Sequence, residues 1–193
     1  MRFFLTAWAA AKQVDLDYGS RDSWEKLNAS GQGLLQKFMA EQLPRLSAIE
    51  ASEKVFELQI TSLDLPFIGV IDLIANLDGK RTVVDFKTSA AAYEEHEVIL
   101  SDQLSAYQLA EPQASQTALC VLVKTKEPKI ECHLSTRSGD RLTEFLSKAG
   151  YIAHEIQAGR FYTRPSKWCS WCDFLSLCTG DTDAATKTLI RIH

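Results

Sequence analysis

The spacing of apolar residues at the start of the chain is that of helices. The opening segment MRFFLTAWAAAK is predicted to form an amphipathic first helix rather than a secretion signal. A short helical turn is predicted over residues 23–28. A second helix is predicted to begin at Ser30, which is a good capping residue, and to end at Pro44. The first third of the chain is therefore expected to be helical.

The middle of the chain changes to the alternating pattern of half-buried strands. Strands are predicted over residues 55–60, 67–77 and 81–88. The dipeptide Asp78-Gly79 separates the last two and is a strong hairpin signal. These three strands are expected to form an antiparallel meander.

Helix and strand patterns then alternate to the end of the chain. Helices are predicted over residues 101–111 and 141–158, and strands over 118–124 and 129–135. The polar segment 181–193 is expected to be poorly ordered. This order of elements predicts the α/β class, in the sense of a mixed sheet flanked by helices.

The length of the chain favours one domain with a short tail. The proposed division gives one domain over 1–180 and a polar tail over 181–193. Within that domain we expect a helical part (1–53), a core (54–135), and a final segment with a helix and the clustered cysteines (136–180).

Composition excludes several classes of protein. Apolar residues make up 46% and charged residues 24% of the 193 residues, which rules out a mainly disordered chain. The net charge of −4 argues against a generic basic coat for nucleic acids. No stretch approaches the roughly 18 apolar residues of a membrane span, and no targeting segment is evident. We therefore expect a cytoplasmic protein without a membrane partner.

The charge is unevenly distributed. Residues 121–170 carry nine basic and five acidic residues, whereas the first 120 residues carry ten basic and seventeen acidic ones. A basic region beside an acidic one suits a protein that holds a nucleic-acid backbone, although an ordinary solvated surface has the same composition. The candidate DNA contacts are Lys124, Lys126, Arg160, Arg164 and Lys167.

Two aspartates lie in strands that are otherwise apolar. Asp72 and Asp85 flank the predicted hairpin, which brings them close to one another. Buried carboxylates are costly unless they are paired or bind a cation, and Mg²⁺ prefers oxygen ligands of this kind. Lys87 follows Asp85 by two residues and therefore points to the same face. The alternative is structural: each aspartate caps a turn, and Lys87 extends to the surface.

The next predicted helix carries two more polar candidates. Gln103 and Tyr107 are spaced i and i+4, so they share one face of that helix. If this face turns toward the sheet, both side chains reach the carboxylates or a DNA phosphate.

The combination Gly69-x-Ile71-Asp72, a hairpin, Asp85-x-Lys87 and Gln103-x-x-x-Tyr107 resembles a known family. It is similar to the RecB-like branch of the PD-(D/E)XK nucleases, including CRISPR-associated RecB-like exonucleases. The resemblance implies a restriction-endonuclease-like core in which Asp72, Asp85 and the Phe86 carbonyl bind Mg²⁺ or Mn²⁺. It also implies that Lys87 serves the attacking water and that Gln103 and Tyr107 complete the site.

The five cysteines do not form the even set of a secreted disulfide framework. Cys169, Cys172 and Cys178 have the spacing C-x2-C-x5-C, which suits thiolate ligands around one metal centre. The resemblance implies an iron-sulfur cluster completed by an upstream cysteine, but no cysteine precedes Cys120. Zinc, a fourth ligand of another kind and an empty site all remain open. Cys120 and Cys132 fall in predicted strands and are expected to be small buried apolar residues.

Relatives in this branch often carry an additional histidine ligand on an upstream helix, and none is present at the corresponding stretch. Gln36, Glu41 and Glu57 are the remaining acidic or polar candidates, and none of the four histidines is assigned a role.

The function implied by the resemblance is metal-dependent cleavage of DNA phosphodiesters, with exonuclease action favoured. DNA repair, recombination and CRISPR- or phage-related DNA processing are the expected settings, with helicase, CRISPR or recombination proteins as expected partners. The alternative is a non-catalytic nucleic-acid-binding or assembly module that keeps the nuclease fold. A weaker alternative is a zinc-binding structural protein with coincidental acids.

Overall fold

A mixed sheet of five strands lies at the centre of the fold. The computed structural model describes residues 1–12, 18, 22–60 and 66–190. The strand order is β1-β2-β3-β4-β5, and all neighbours are antiparallel except β3 and β4, which are parallel. The strands are β1 (Leu46–Leu58), β2 (Phe67–Leu77), β3 (Lys80–Ser89), β4 (Gln116–Val123) and β5 (Lys129–Ser135).

Helices precede the sheet, connect its parallel strands and follow its last strand. The α-helices are α1 (Arg2–Ala11), α2 (Trp24–Glu41), α3 (Glu95–Ile99), α4 (Asp102–Ala110), α5 (Gly139–Gln157), α6 (Leu175–Thr179) and α7 (Thr182–Thr188). Short 3-10 helices cover Leu43–Arg45 and Lys167–Trp171. In the part of the chain described, no helix is both long enough and apolar enough to cross a membrane.

Helix α2 is longer than the sequence predicts. Its cap is Ser23, whose hydroxyl accepts a hydrogen bond from the backbone N–H of Lys26, so the prediction of a new helix at Ser30 is wrong. Ser30 and Gly31 lie inside the helix, and the ring of Phe4 in α1 packs closely against Gly31. A Cβ atom at Gly31 would lie 2.8 Å from that ring. This tight approach requires glycine, which a local pattern interprets as a break.

The predicted meander of β1, β2 and β3 is confirmed, including the hairpin at Asp78-Gly79. Both turn residues have positive φ, 52° and 81°, as a tight hairpin turn requires. Strand β1, however, begins at Leu46 and not at residue 55. Most side chains over residues 46–54 are exposed because β1 is an edge strand, so this stretch has no clear alternation of apolar and polar residues.

Strands β1 and β2 both change face near the middle. Ile71 and Ile74 belong to one apolar cluster although they are three residues apart, which a regular strand does not allow. The change occurs at Asp72, and across from it Glu53 of β1 has a left-handed backbone with φ of 50°. The irregularity therefore lies at the residue that the sequence identifies as a candidate ligand.

Apolar side chains fill both faces of the sheet. One cluster contains Ile71, Val83 and Val121 together with Leu104 of α4 and Phe145 of α5. The other contains Leu73, Leu77, Val84 and Cys120, with Phe38 of α2 packed against it. A mixed sheet flanked by helices is what the sequence predicts, and this fold class is confirmed.

The chain divides into two compact units, residues 1–150 and 151–193. The second contains the end of α5, the 3-10 helix Lys167–Trp171, α6 and α7. The expectation that segment 181–193 is poorly ordered is wrong for α7. The Asp181 side chain caps this helix by accepting from the backbone N–H of Ala184 at 2.9 Å. Residues 191–193 of the tail lie outside the described residues.

Candidate active site

Side chains from β2, β3 and α4 converge around one buried carboxylate. That carboxylate is Asp85 of β3, whose side chain is only 1% exposed. The five residues singled out in the sequence, Asp72, Asp85, Lys87, Gln103 and Tyr107, all come together here in the first unit.

Gln103 and Tyr107 fix one oxygen of Asp85. The Oδ1 atom of Asp85 accepts from Nε2 of Gln103 at 2.8 Å, and the Tyr107 hydroxyl lies 3.3 Å from the same oxygen. Both side chains reach it because α4 begins at its cap, Ser101, and presents the i and i+4 positions to the sheet. The helix therefore holds the carboxylate in one orientation.

The Tyr107 hydroxyl is itself held in place. It donates to the backbone carbonyl of Val70 in β2 at 2.8 Å and accepts from Nε2 of Gln103 at 2.6 Å. Tyr107 is 3% exposed, and these two hydrogen bonds replace the contacts with water that its hydroxyl loses on burial. Strands β2 and β3 are thus tied to α4 through one hydroxyl group.

Asp72 lies where β2 and β3 stop pairing. The last paired residues on this side are Leu73 and Val84, and beyond them the Oδ2 atom of Asp72 accepts from the backbone N–H of Phe86 at 2.8 Å. The side chain replaces the main-chain acceptor that a continued ladder would supply. This places the carboxylate of Asp72 beside β3, next to Asp85.

Lys87 approaches the second oxygen of Asp85. Its Nζ atom lies 2.6 Å from Oδ2, and its side chain is 35% exposed. At this distance the Lys87 ammonium is the partner of Oδ2, and its positive charge compensates the buried oxygen. Lys87 therefore connects the buried carboxylate to solvent.

The surroundings of Asp85 disfavour its charge. Burial raises the pKa of Asp85, and the neighbouring Asp72 carboxylate raises it further, while Lys87 acts in the opposite direction. Burial also raises the pKa of Tyr107 to about 12, so this hydroxyl remains a hydrogen-bond donor at neutral pH. An additional positive charge beside Asp85 would stabilise its charged carboxylate against burial and against repulsion by Asp72.

The donor set fits a hard divalent cation. Two neighbouring carboxylates and the Phe86 carbonyl offer only oxygen atoms, and Oδ2 of Asp85 has the partly exposed ammonium of Lys87 as its partner. Mg²⁺ is commonly bound by one or two carboxylates together with waters and substrate phosphate. Among the described residues, no third carboxylate, histidine or cysteine completes a metal-binding group. Glu41 instead pairs with Lys37 at 2.7 Å, and Glu57 accepts from Gln59.

The chain matches a known protein family over most of its length. Residues 4–179 match the family model described as the PD-(D/E)XK nuclease superfamily. The chain belongs to the PD-(D/E)XK nuclease superfamily.

Solved structures agree with this fold. A crystal structure from Eubacterium rectale, described as a candidate exonuclease, has a TM-score of 0.57 and 12% sequence identity, covering 99% of this chain and 72% of the other. The structure of the protein SSO0001 has 15% sequence identity and a TM-score of 0.49, covering 93% of this chain and 95% of the other. No curated protein matches the sequence.

The basic residues predicted to contact DNA lie in both units of this PD-(D/E)XK chain. Lys124 and Lys126 are in the turn after β4, and the backbone N–H of Lys124 bonds to the Ser89 carbonyl at the end of β3. Since β3 and β4 are parallel, these lysines lie beyond the carboxyl ends of the two strands, and Lys87 lies near the same end of β3. Arg160, Arg164 and Lys167 are in the second unit, where Arg160 pairs with Glu155 at 2.6 Å.

The clustered cysteines also lie in the second unit of the nuclease chain. Cys169 is in the 3-10 helix, where its sulfur accepts from the backbone N–H of Ser166 at 3.2 Å, and Cys178 is in α6. In the described part of the chain, Cys169, Cys172 and Cys178 do not converge as a metal-binding group. An iron-sulfur cluster or zinc at these thiols stays a prediction.

Two backbone groups complete this candidate site, and residue types alone did not indicate them. The Val70 carbonyl anchors Tyr107, and the Phe86 amide anchors Asp72. A main-chain group carries no signature in a sequence. The proximity of Val70 to Asp72, and of Phe86 to Asp85, is the only signal that could have pointed to them.

Proposed function

We propose that this protein is a Mg²⁺- or Mn²⁺-dependent deoxyribonuclease of the RecB-like branch. It hydrolyses DNA phosphodiester bonds as an exonuclease, starting from a strand end. The observation that carries the proposal is the convergence of Asp72 and the buried Asp85 beside the Lys87 ammonium, whose Nζ lies 2.6 Å from Oδ2 of Asp85. Membership in a nuclease superfamily supports the same reaction class.

Each side chain has a role that follows from its contacts. Asp72 and Asp85, with the Phe86 carbonyl, would hold the cation, and Gln103 and Tyr107 keep Asp85 oriented toward it. When bound, the cation supplies Lewis-acid polarisation of the phosphate and lowers the pKa of a bound water.

Lys87 lies where it can act on both water and phosphate. Its ammonium, on a side chain that is 35% exposed, lies 2.6 Å from Asp85 and can hold the attacking water by a hydrogen bond and offset charge that develops on the phosphoryl oxygens. Water adds to phosphorus and gives up a proton, the bond from phosphorus to a deoxyribose oxygen breaks, and that oxygen takes up a proton in turn. Lys124 and Lys126, which follow the carboxyl end of β4, are proposed to hold the DNA backbone.

The test is a nuclease assay on end-labelled single- and double-stranded DNA with Mg²⁺ or Mn²⁺. We expect mononucleotides or short oligonucleotides to be released, and chelation by EDTA to stop the reaction. The Asp85→Asn variant is expected to lose about two to three orders of magnitude in rate, because metal ligation contributes several kcal/mol to such a reaction.

The matched control is Asp78→Asn, in which the same change is made in the hairpin, where Asp78 pairs with Arg45. We expect this variant to cut DNA at the wild-type rate. If the purified, folded wild type cuts no DNA with either metal, or if Asp85→Asn is as active as wild type, the enzymatic proposal is wrong. DNA binding without cleavage would then support the non-catalytic module.

A further inference from the structure

Two cysteines lie opposite one another on the face of the sheet away from Asp85. Cys120 of β4 and Cys132 of β5 are direct partners in the antiparallel register. Both belong to the apolar cluster that packs against α2, whereas Asp85 faces α4. Both are free thiols in the structure. The sequence predicts only that each is a small apolar residue.

The register sets a spacing that suits a disulfide. Directly opposed residues of antiparallel strands have Cα atoms about 4.5 or 5.5 Å apart, depending on the type of pair. Disulfides span Cα distances of about 4.4–6.8 Å. Opposed side chains also share one face of the sheet, with Cβ atoms about 4.5–5.5 Å apart. A small approach of the two Cβ atoms, to the roughly 3.5–4.5 Å of a disulfide, would let Cys120 and Cys132 be bridged.

Access to the two sulfurs is unequal. Cys120 is 2% exposed in an inner strand, whereas Cys132 is half-buried in the edge strand β5. The nearby Arg45 guanidinium, which also pairs with Asp78, adds a positive charge close to the two thiols. The Cys120 thiol and Arg45 hold the pKa of Cys132 below its usual value, against the effects of burial and of Asp78.

We propose that Cys120 and Cys132 form an oxidisable dithiol, which closes to a cross-strand disulfide by exchange with a low-molecular-weight disulfide such as oxidised glutathione. The sulfur of Cys132 attacks one glutathione sulfur, and one glutathione leaves as its thiolate. The sulfur of Cys120 then attacks the mixed disulfide at Cys132, and the second glutathione leaves.

The exchange balances. The two cysteine thiols together lose two electrons and two protons, and oxidised glutathione gains them as two glutathione thiols. The new bond joins β5 to β4, and Cys120 is the register partner of Phe86, whose amide holds Asp72. The disulfide would therefore form one strand away from the catalytic strand.

The experiment uses the full chain, equilibrated in mixtures of reduced and oxidised glutathione, alkylated to trap free thiols, digested and analysed by mass spectrometry. We expect a linked pair of peptides containing Cys120 and Cys132, lighter by two hydrogen atoms, to dominate in oxidising mixtures. Dithiothreitol should return both cysteines to the alkylated form. This measurement does not depend on nuclease activity.

Single variants test the order of the two steps. In Cys120→Ser the resolving sulfur is missing, so Cys132 should accumulate as its glutathione mixed disulfide. In Cys132→Ser, Cys120 should remain alkylatable only after unfolding. Wild-type protein in which both cysteines are alkylated under oxidising conditions, or in which either is linked to Cys169, Cys172 or Cys178, would overturn the proposal. The wild-type map alone decides this outcome if a variant does not fold.

Discussion

At the scale of single residues, the candidate site depends on how one buried carboxylate is surrounded. One oxygen of Asp85 is fixed by Gln103 and Tyr107, and the other pairs with the Lys87 ammonium. Gln103 and Tyr107 thus orient the carboxylate of Asp85, and the oxygen beside Lys87 is the one that we propose faces the cation.

The hydroxyl of Tyr107 is expected to matter for both stability and activity. Tyr107→Phe leaves the Val70 carbonyl and the Gln103 amide without their partner, which should lower the free energy of unfolding by about 1–3 kcal/mol. With Asp85 less well oriented, kcat should fall by roughly tenfold, equivalent to about 1.4 kcal/mol. Urea denaturation and nuclease kinetics measure the two effects.

Tyr93→Phe is the control for this change. Tyr93 packs against the same apolar cluster, and in the described residues its hydroxyl makes no hydrogen bond. A loss of stability in Tyr93→Phe equal to that in Tyr107→Phe would mean that the hydrogen bonds of Tyr107 contribute nothing.

At the scale of elements, close approach of side chains decides where the strands can pair. Phe56 of β1 lies directly across from Gly69 of β2, and its ring covers the glycine. The same ring packs edge-on against Tyr107, with centroids 5.9 Å apart. The glycine at the start of the Gly69-x-Ile71-Asp72 motif therefore makes room for the ring that supports the site.

Gly69→Ala is expected to destabilise the protein. An added Cβ would lie 2.5 Å from the Phe56 ring, which is buried and cannot swing away, so overpacking should cost about 1–3 kcal/mol. The control is Gly139→Ala at the start of α5, where no atom lies within 4 Å of the new methyl group. Thermal unfolding compares the two variants, and equal midpoints would contradict this account of the motif.

A second link between elements is a charge cluster at the end of α4. Glu111, whose side chain is 9% exposed, pairs with Lys54 of β1 and with Arg81 of β3 at 2.8 Å. Burial by itself raises the pKa of Glu111, but Lys54 and Arg81 outweigh it, and the pKa falls below the usual 4.5. The folded chain therefore favours the charged carboxylate.

The sign of the pH dependence follows. A carboxylate with a lowered folded-state pKa stabilises the fold above its unfolded pKa, and this contribution disappears as the pH falls through the folded pKa. Glu111→Gln should thus cost about 1–3 kcal/mol at pH 7, and the difference from wild type should shrink steadily below about pH 4.5. Urea denaturation at several pH values measures this.

Glu50→Gln is the comparison for this prediction, because Glu50 pairs with the same Arg81 but is 41% exposed. Its effect should stay below about 1 kcal/mol. A difference between wild type and Glu111→Gln that does not change between pH 7 and pH 3 would show that the charge of Glu111 is not what stabilises the fold.

At the scale of the whole molecule, the proposed cation couples the site to global stability. A ligand that binds only the folded chain raises its free energy of unfolding, by about 2.7 kcal/mol at a hundred times Kd. For a domain of this size, each kcal/mol raises Tm by about 2–4 °C. Mg²⁺ or Mn²⁺ should therefore raise Tm by several degrees even without DNA.

The Asp85→Asn variant should lose this rise in Tm, and Asp78→Asn should keep it. Differential scanning fluorimetry with a titration of each metal makes the comparison. A rise of the same size in all three proteins would mean that the cation binds elsewhere on the chain, and the assignment of Asp72 and Asp85 as its ligands would fail.

The sequence by itself determined the parts of the protein that depend on neighbours along the chain. Alternation predicted the strands of the meander, Asp78-Gly79 predicted their hairpin, and the spacing of Gln103 and Tyr107 placed both on one helix face. The polar residues in apolar strands predicted which side chains come together at the site, because burial of an unpaired charge is too costly to occur without a reason.

Only the tertiary structure decided what depends on contacts between distant segments. The exposed edge position of β1 hides its first half from pattern analysis, and the packing of Phe4 on Gly31 lets α2 run through a glycine. The change of face at Asp72 and the pairing of Cys120 with Cys132 are matters of strand register. Register is set by long-range packing, and no local run of residues encodes it.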